Sequence, residues 1–399
     1  MPMKCHFLQP CEYPARIAVI DNDAVYTYGD LDRLVETFIA AFTGVRLGPV
    51  VSVCLPNNIE LVAALLALLR LNTTCVLVPI KAGATVLNHI HQALHPTAWL
   101  IQDAEISTLA AVGGRVASFK GPGHCFVAIA SPVGIDSEFL RPEVQEAAIC
   151  KVTSSSTGLA KIIGVSANAL VAESDNVAAA LSLSHSDRVF VPVSMLHSYG
   201  FDLGFLASLR AGATIILGYP FAPSLLDRVA SMAATVFLGT PLMYKSMLRQ
   251  PSGRPALQHM RLMLSCTAPL SEATIREFNE RYGVVLCQHY GTSETGALTN
   301  HTPSEVLRRP ASVGRPIPGV SLRLVDEHGL EVQSGAGFLL AQSSGMGIGY
   351  LSRGMSVLRF GFSQEGFHTG DSAWFDDDGF VYLLPQERRS LTKQQYVQN

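Results

Sequence analysis

Short apolar runs alternate with segments of helical length along most of the chain. Residues 50–55 are rich in β-branched side chains and stop at Pro56-Asn57-Asn58, which predicts a strand ending in a turn. An almost wholly apolar segment, 59–71, follows as a buried helix, and 75–78 forms the next strand, closed by Pro79. The rhythm returns as strand 188–193, helix 200–210, strand 214–217 and helix 225–233, with further strands at 235–238 and 261–265. Such alternation predicts an α/β architecture built on a parallel sheet. Beyond about residue 313 it gives way to short strands at 321–325, 337–341 and 380–384 with Gly- and Asp-containing turns, so a β-rich lobe is expected there. Gly113-Gly114 and Gly121-Pro122-Gly123 flank a loop-rich stretch where a linker between subdomains is expected.

Composition narrows the picture. At 399 residues the chain exceeds a single core, and 48% hydrophobic content excludes a disordered protein. Only 15% of residues are charged, so much of the chain is expected to be buried. A net charge of −3 without a basic stripe argues against nucleic-acid binding. The richest apolar run, 61–69, is too short to span a membrane, and the N-terminus lacks a signal-peptide stretch. The eight cysteines form no C-x-x-C pair, which predicts a reduced, cytoplasmic protein without structural zinc. Cys5, His6 and Cys11 have no second ligand pair nearby, and Asp376-Asp377-Asp378-Gly379 reads as a hairpin turn rather than a calcium loop.

Three segments carry candidate chemistry. Thr153-Ser154-Ser155-Ser156-Thr157-Gly158-Leu159-Ala160-Lys161 lies between an apolar run and a helical segment at 167–181. Its five consecutive hydroxyls, Gly and Lys suit an anion such as phosphate, although a Ser/Thr-rich turn is often only a solvated loop. Gln288-His289-Tyr290-Gly291-Thr292-Ser293-Glu294 offers an aromatic face, two hydroxyls and a carboxylate at a strand end. That set suits a nucleotide with Mg2+, or equally a plain polar turn. In Phe367-His368-Thr369-Gly370-Asp371, Asp371 either receives a ribose diol or merely ends a turn.

In this order and spacing the three segments resemble the adenylate-forming superfamily of acyl-CoA synthetases, peptide-synthetase adenylation domains and luciferases. The resemblance extends to Thr27-Tyr28-Gly29-Asp30-Leu31, Leu55-Pro56-Asn57-Asn58-Ile59-Glu60, Ser312-Val313-Gly314-Arg315-Pro316-Ile317-Pro318-Gly319 and Gly349-Tyr350-Leu351. It implies a large domain over 1–384, made of two sheet-and-helix layers plus the β-rich lobe, with 385–399 as the remnant of a hinge. It also implies that Thr153, Ser154, Ser155, Ser156, Thr157, Gly158 and Lys161 hold the ATP phosphates. Tyr290 with Gly291 packs on adenine, Thr292 lies beside the phosphates, Ser293 contacts the α-phosphate, Glu294 binds Mg2+ and Asp371 holds the ribose. Ser265-Cys266-Thr267-Ala268-Pro269 resembles the family's S-G-G-A-P turn, which puts Thr267 and Ala268 beside the adenine and acyl pocket. His197, with Tyr199, Gly200 and Asp202, is expected to line the acid pocket. His197 precedes Gly212 by 212 − 197 = 15 positions, a spacing similar to that of aryl and acyl ligases rather than amino-acid-activating domains. Asp202 argues the other way, since a pocket carboxylate suits a substrate ammonium; a solvated or helix-capping role is the alternative.

The implied reaction joins a carboxylic acid to Mg·ATP as acyl-AMP, with CoA or phosphopantetheine on a carrier protein as the acceptor. A carboxylate is ionised at neutral pH and needs no general base, in keeping with the lack of a Ser/His/Asp or Cys/His arrangement. Some positions depart from the family: Ser155 and Ile162 replace glycines, Ala160 replaces a proline, and Leu384-Pro385-Gln386-Glu387-Arg388-Arg389-Ser390 lacks G-R-x-x-D. With the sequence ending at Asn399, the family's small C-terminal domain, with its bridging Lys, is expected to be absent. Three expectations stay open: a body served by a separate C-terminal domain, slow adenylation with hand-over to a carrier, or a nucleotide-binding scaffold.

Overall fold

In the computed structural model the described residues are 13–45, 47–102, 115–117, 125–129, 142–153, 160–219, 225–249, 257–351, 362–363 and 365–385. Three sheets organise them. A nine-stranded sheet has a parallel centre, Leu286–Thr292, Leu262–Ser265, Val236–Gly239, Arg188–Val191, Thr214–Leu217 and Ile17–Asp21 in spatial order. Antiparallel strands finish both edges. An eight-stranded sheet has Ala147–Thr153, Thr74–Leu77, Val50–Cys54 and Ala98–Gln102 parallel at its centre. The antiparallel third sheet, from Val320–Val325 to Val381–Leu383, is the β-rich lobe. Within the stretch where a linker is expected, strand Arg115–Ala117 pairs with Cys125–Ile129 at an edge of the eight-stranded sheet, while Gly113-Gly114 and Gly121-Pro122-Gly123 lie outside the described residues.

Helix Ile59–Arg70 lies within the core. Every residue from Ile59 to Leu69 is buried, as a helix without a polar face requires. Its N-terminal end is satisfied by protein: Leu61 N–H donates to the Asn58 side chain at 2.8 Å and Ile59 N–H to Asp21 at 2.9 Å. The adjacent Asn57 is buried and reaches the other sheet, donating to Val193 O at 2.7 Å and accepting from Met195 N–H at 2.9 Å. The Leu-Pro-Asn-Asn turn thereby fixes the segment that leads into His197. Among the described residues no helix is long and apolar enough to cross a membrane.

Candidate active site

The residues expected to meet the nucleotide gather beyond the carboxyl ends of central strands, where open α/β sheets bind ligands. Strand Leu286–Thr292 brings up Tyr290 and then turns at Gly291, where a Cβ would lie 2.3 Å from Gly296 O. Thr292 and Thr295 bond hydroxyl to hydroxyl at 3.0 Å, and Thr295 N–H donates to Thr292 at 3.2 Å. The Thr292 hydroxyl thus builds the turn that presents Ser293 and Glu294. Gly347 N–H donates to Glu294 O at 2.8 Å and ties in the segment that carries Tyr350.

Lys161, Glu294 and Tyr350 meet here. The Tyr350 hydroxyl donates to Glu294 Oε1 at 2.7 Å, while Lys161 Nζ lies 3.2 Å from that hydroxyl and 3.5 Å from the carboxylate. Burial and the Glu294 charge both push the Tyr350 phenol upward, so it stays a donor. The Lys161 side chain is 48% exposed, so its pairing with Glu294 is loose and worth under about 1 kcal/mol. Such a cation can turn to an incoming phosphate.

Thr153 and Lys161 face each other across antiparallel strands Ala147–Thr153 and Lys161–Ser166. The hydroxyl-rich loop therefore closes a hairpin, not the strand-to-helix junction expected from sequence. Ile162, Ile163 and Val165 are buried in this pairing, and helix Ala167–Ala180 begins only after it. Ser154, Ser155, Ser156, Thr157 and Gly158 lie outside the described residues.

On the lobe side, the Tyr290 hydroxyl donates to Asp371 Oδ2 at 2.6 Å, and Asp371 N–H donates to Thr369 at 3.1 Å. Thr267 and Ala268 are exposed, and Thr267 holds a φ of 76° where the resembling motif has Gly. A β-branched residue is strained in that region. Thr267→Gly should raise stability by about 1 kcal/mol, after the entropic penalty of Gly, read as a higher denaturant midpoint; a lower midpoint contradicts the strain.

On the side expected to receive the acid, Ser198 donates to Ser293 at 2.8 Å and joins the two groups of candidate residues. His197 is solvent-accessible, yet partial burial holds its imidazole below the ordinary value, which favours the neutral ring. Tyr199 is buried, donates to Leu264 O at 3.2 Å and stacks on His289 with ring centroids 6.0 Å apart. Gly200 is required, because a Cβ there would come within 2.2 Å of Ser194 O. The expected helix at 200–210 is a π-helix over Gly200–Ala207 continuing into a short α-turn, Ser208–Arg210. Asp202 is neither solvated nor a cap: it is 2% exposed and 2.7 Å from Lys151 Nζ. Lys151 sits in a strand that reads as apolar, which hid the pair from the sequence. Tyr350 and Ser198 were also missed as site residues, although both fall in the motifs Gly349-Tyr350-Leu351 and His197-Ser198-Tyr199.

The donor set fits one divalent ion held together with a nucleotide. Among the described residues no group of three or more His, Cys, Asp or Glu could cage a metal. Glu294 supplies a hard oxygen, and Mg2+ commonly takes one or two carboxylates with phosphate oxygens and water completing its shell.

Sheet layers, a β-rich lobe and a Lys–Tyr–Glu cluster beside a hydroxyl-rich hairpin define an adenylate-forming enzyme, an adenylating ligase. The chain belongs to the AMP-binding enzyme family, which it matches over residues 8–351. It is 24% identical over 405 residues to an oxalate–CoA ligase of Arabidopsis thaliana, across 96% of this chain and 78% of that one. It is 26% identical over 389 residues to a 3-hydroxybenzoate–CoA ligase of Aromatoleum sp. (strain CIB), across 92% and 72%. ATP-bound MatB from Rhodopseudomonas palustris has the same fold, with a TM-score of 0.83 at 22% identity over 96% of this chain and 78% of that chain. The N-terminal domain of FACL13 from Mycobacterium tuberculosis matches with a TM-score of 0.80 at 19% identity, over 93% and 96%.

Proposed function

We propose that this protein activates an aryl or acyl carboxylic acid with Mg·ATP, forming acyl-AMP and pyrophosphate, for transfer to CoA or a carrier-protein thiol. The observation that carries this reading is the Lys161–Tyr350–Glu294 cluster at the foot of the hydroxyl-rich hairpin. A carboxylate oxygen of the acid attacks the α-phosphorus, and the bond to the pyrophosphate oxygen breaks. Both reactants are anions, so the residues act by positioning and by offsetting charge. Lys161 and the 153–158 loop hold phosphate oxygens, Ser293 meets the α-phosphate, and Tyr290 with Gly291, Thr267 and Ala268 surrounds the adenine. Asp371 holds the ribose with its carboxylate already oriented by Tyr290. Glu294 would hold Mg2+, which supplies charge neutralisation at the phosphates.

The acid class follows from the other half of the site. His197, Tyr199 and Gly200 face it with neutral groups, while Asp202 is already neutralised by Lys151 and is no partner for an α-ammonium. The relatives named for oxalate and 3-hydroxybenzoate support an acid without an α-amino group. The test is acid-dependent exchange of labelled pyrophosphate into ATP over a panel of aryl, short acyl and α-amino acids. Exchange confined to aryl or acyl acids is expected. Exchange with α-amino acids alone, or Mg·ATP binding with no exchange for any acid, overturns it, the latter leaving a nucleotide-binding scaffold.

A further inference from the structure

Lys151, Glu173 and Asp202 form a buried charged group that the adenylation chemistry does not use. Glu173 is 1% exposed, and the Lys151 and Asp202 side chains are 4% and 2% exposed. Each comes from a different wall of the site. Lys151 lies two positions before Thr153 at the foot of the hairpin, Glu173 lies on helix Ala167–Ala180, and Asp202 lies on the π-helix after His197. Glu173 Oε1 accepts the Ala297 N–H at 2.7 Å and so grips the strand that leaves the Ser293–Glu294 turn. The fit is close: a Cβ on Gly296 or on Gly345 would lie 2.5 Å from the Glu173 carboxyl group. Glu173 Oε2 and Asp202 Oδ1 have no partner among the described residues. One ammonium cannot balance two buried carboxylates, so one of the acids retains a proton.

We propose that Glu173 is a positioning residue: as a neutral acid beside the Lys151–Asp202 pair, it holds the turn bearing Ser293 and Glu294 in register with the hairpin foot and the acid-side segment. Losing its proton strengthens the bond accepted from the Ala297 N–H but puts a second negative charge beside Asp202, and the repulsion between the two buried carboxylates shifts the cluster that sets the position of the turn. Burial, then the Asp202 charge, push the Glu173 carboxyl up to about 8, with Lys151 and the Ala297 N–H pulling the other way. Lys151 and Asp202 are the charged groups that act on it. Strand Gly296–Asn300 and the segment at Gly345 bring backbone against it, and Arg210 is paired with Asp175 on the exposed side of the same helix. Because the folded carboxyl keeps a proton that the unfolded chain releases, its contribution to stability falls as pH rises from the ordinary glutamate range to about 8.

The activity readout rests on the adenylation reading, so melting is followed in parallel on the full chain. Between pH 7 and pH 9 the wild-type exchange rate should fall roughly tenfold, while the Glu173→Gln ratio stays near one. The wild-type melting temperature should likewise drop more steeply between pH 6 and pH 8 than that of Glu173→Gln. Asp202→Asn, which removes the neighbouring charge, should move the alkaline limb to lower pH and serves if Glu173→Gln does not fold. Superimposable pH profiles of exchange and of melting in wild type and Glu173→Gln, or an unmoved limb in Asp202→Asn, overturn the proposal. If the wild type exchanges with no acid, the adenylation reading fails by itself and the melting profiles alone decide the role of Glu173.

Discussion

Glu294→Ala should lower acid-dependent pyrophosphate exchange by on the order of a hundredfold to a thousandfold, with the protein still folded. The size follows from removing one preorganised charged group from a nucleotidyl-transfer site. Folding should survive because the interactions lost are modest. The Lys161 pairing involves a half-exposed ammonium at 3.5 Å, and the Tyr350 hydroxyl bond is worth about 1 kcal/mol. Lys161→Ala should act in the same direction, whereas Tyr350→Phe, which keeps both charges, should have a smaller effect. Exchange rates that are unchanged in both Glu294→Ala and Lys161→Ala contradict the placement of the phosphates beside this cluster.

Lys151→Ala is expected to give the largest loss of stability, about 3–5 kcal/mol in a denaturant titration at neutral pH. Asp202 is buried to 2% and Lys151 Nζ is its partner at 2.7 Å. Removing the ammonium leaves a carboxylate in low dielectric, with the Asp202 carboxyl already pushed upward by its burial. That figure measures an abandoned charge rather than the worth of the pair. The double variant Lys151→Ala/Asp202→Asn should therefore recover part of the loss. Additive losses in the double variant would show that the two side chains act independently and that Asp202 is not held by Lys151.

Much of the fold was legible because local pattern decides local structure. The run at 59–71 has no polar face and became the helix buried between the sheets, and the strand at 214–217 appears at Thr214–Leu217. Sheet order was not legible, since the parallel partners Ile17–Asp21 and Thr214–Leu217 lie far apart in sequence. The hairpin under the hydroxyl-rich loop was misread for a related reason: Lys161–Ser166 satisfies its backbone on the strand before the loop, and no local signal marks that return. Asp202 shows the same limit in electrostatics. Its neighbours suggest a solvated or helix-capping side chain, or a pocket carboxylate for a substrate ammonium, while the charge that defines it comes from 51 residues earlier. Tyr290, Ser293, Glu294, Lys161 and Asp371 could be singled out as candidates because their residue types suit nucleotide chemistry wherever they occur, and the structure brings Lys161 to Glu294 and Tyr290 to Asp371. Tyr350 and Glu173 could not be singled out, because what draws attention to them is only the groups they touch, Glu294 and the Ala297 N–H.

The most direct measurement follows an oxygen atom. An accepted acid labelled with 18O in its carboxylate is incubated with Mg·ATP and the protein, the acyl group is trapped with hydroxylamine, and the AMP is weighed by mass spectrometry. Attack of the carboxylate on the α-phosphorus predicts one 18O in the phosphate of AMP, with pyrophosphate as the other product. AMP without label, or ADP and phosphate in its place, contradicts the account.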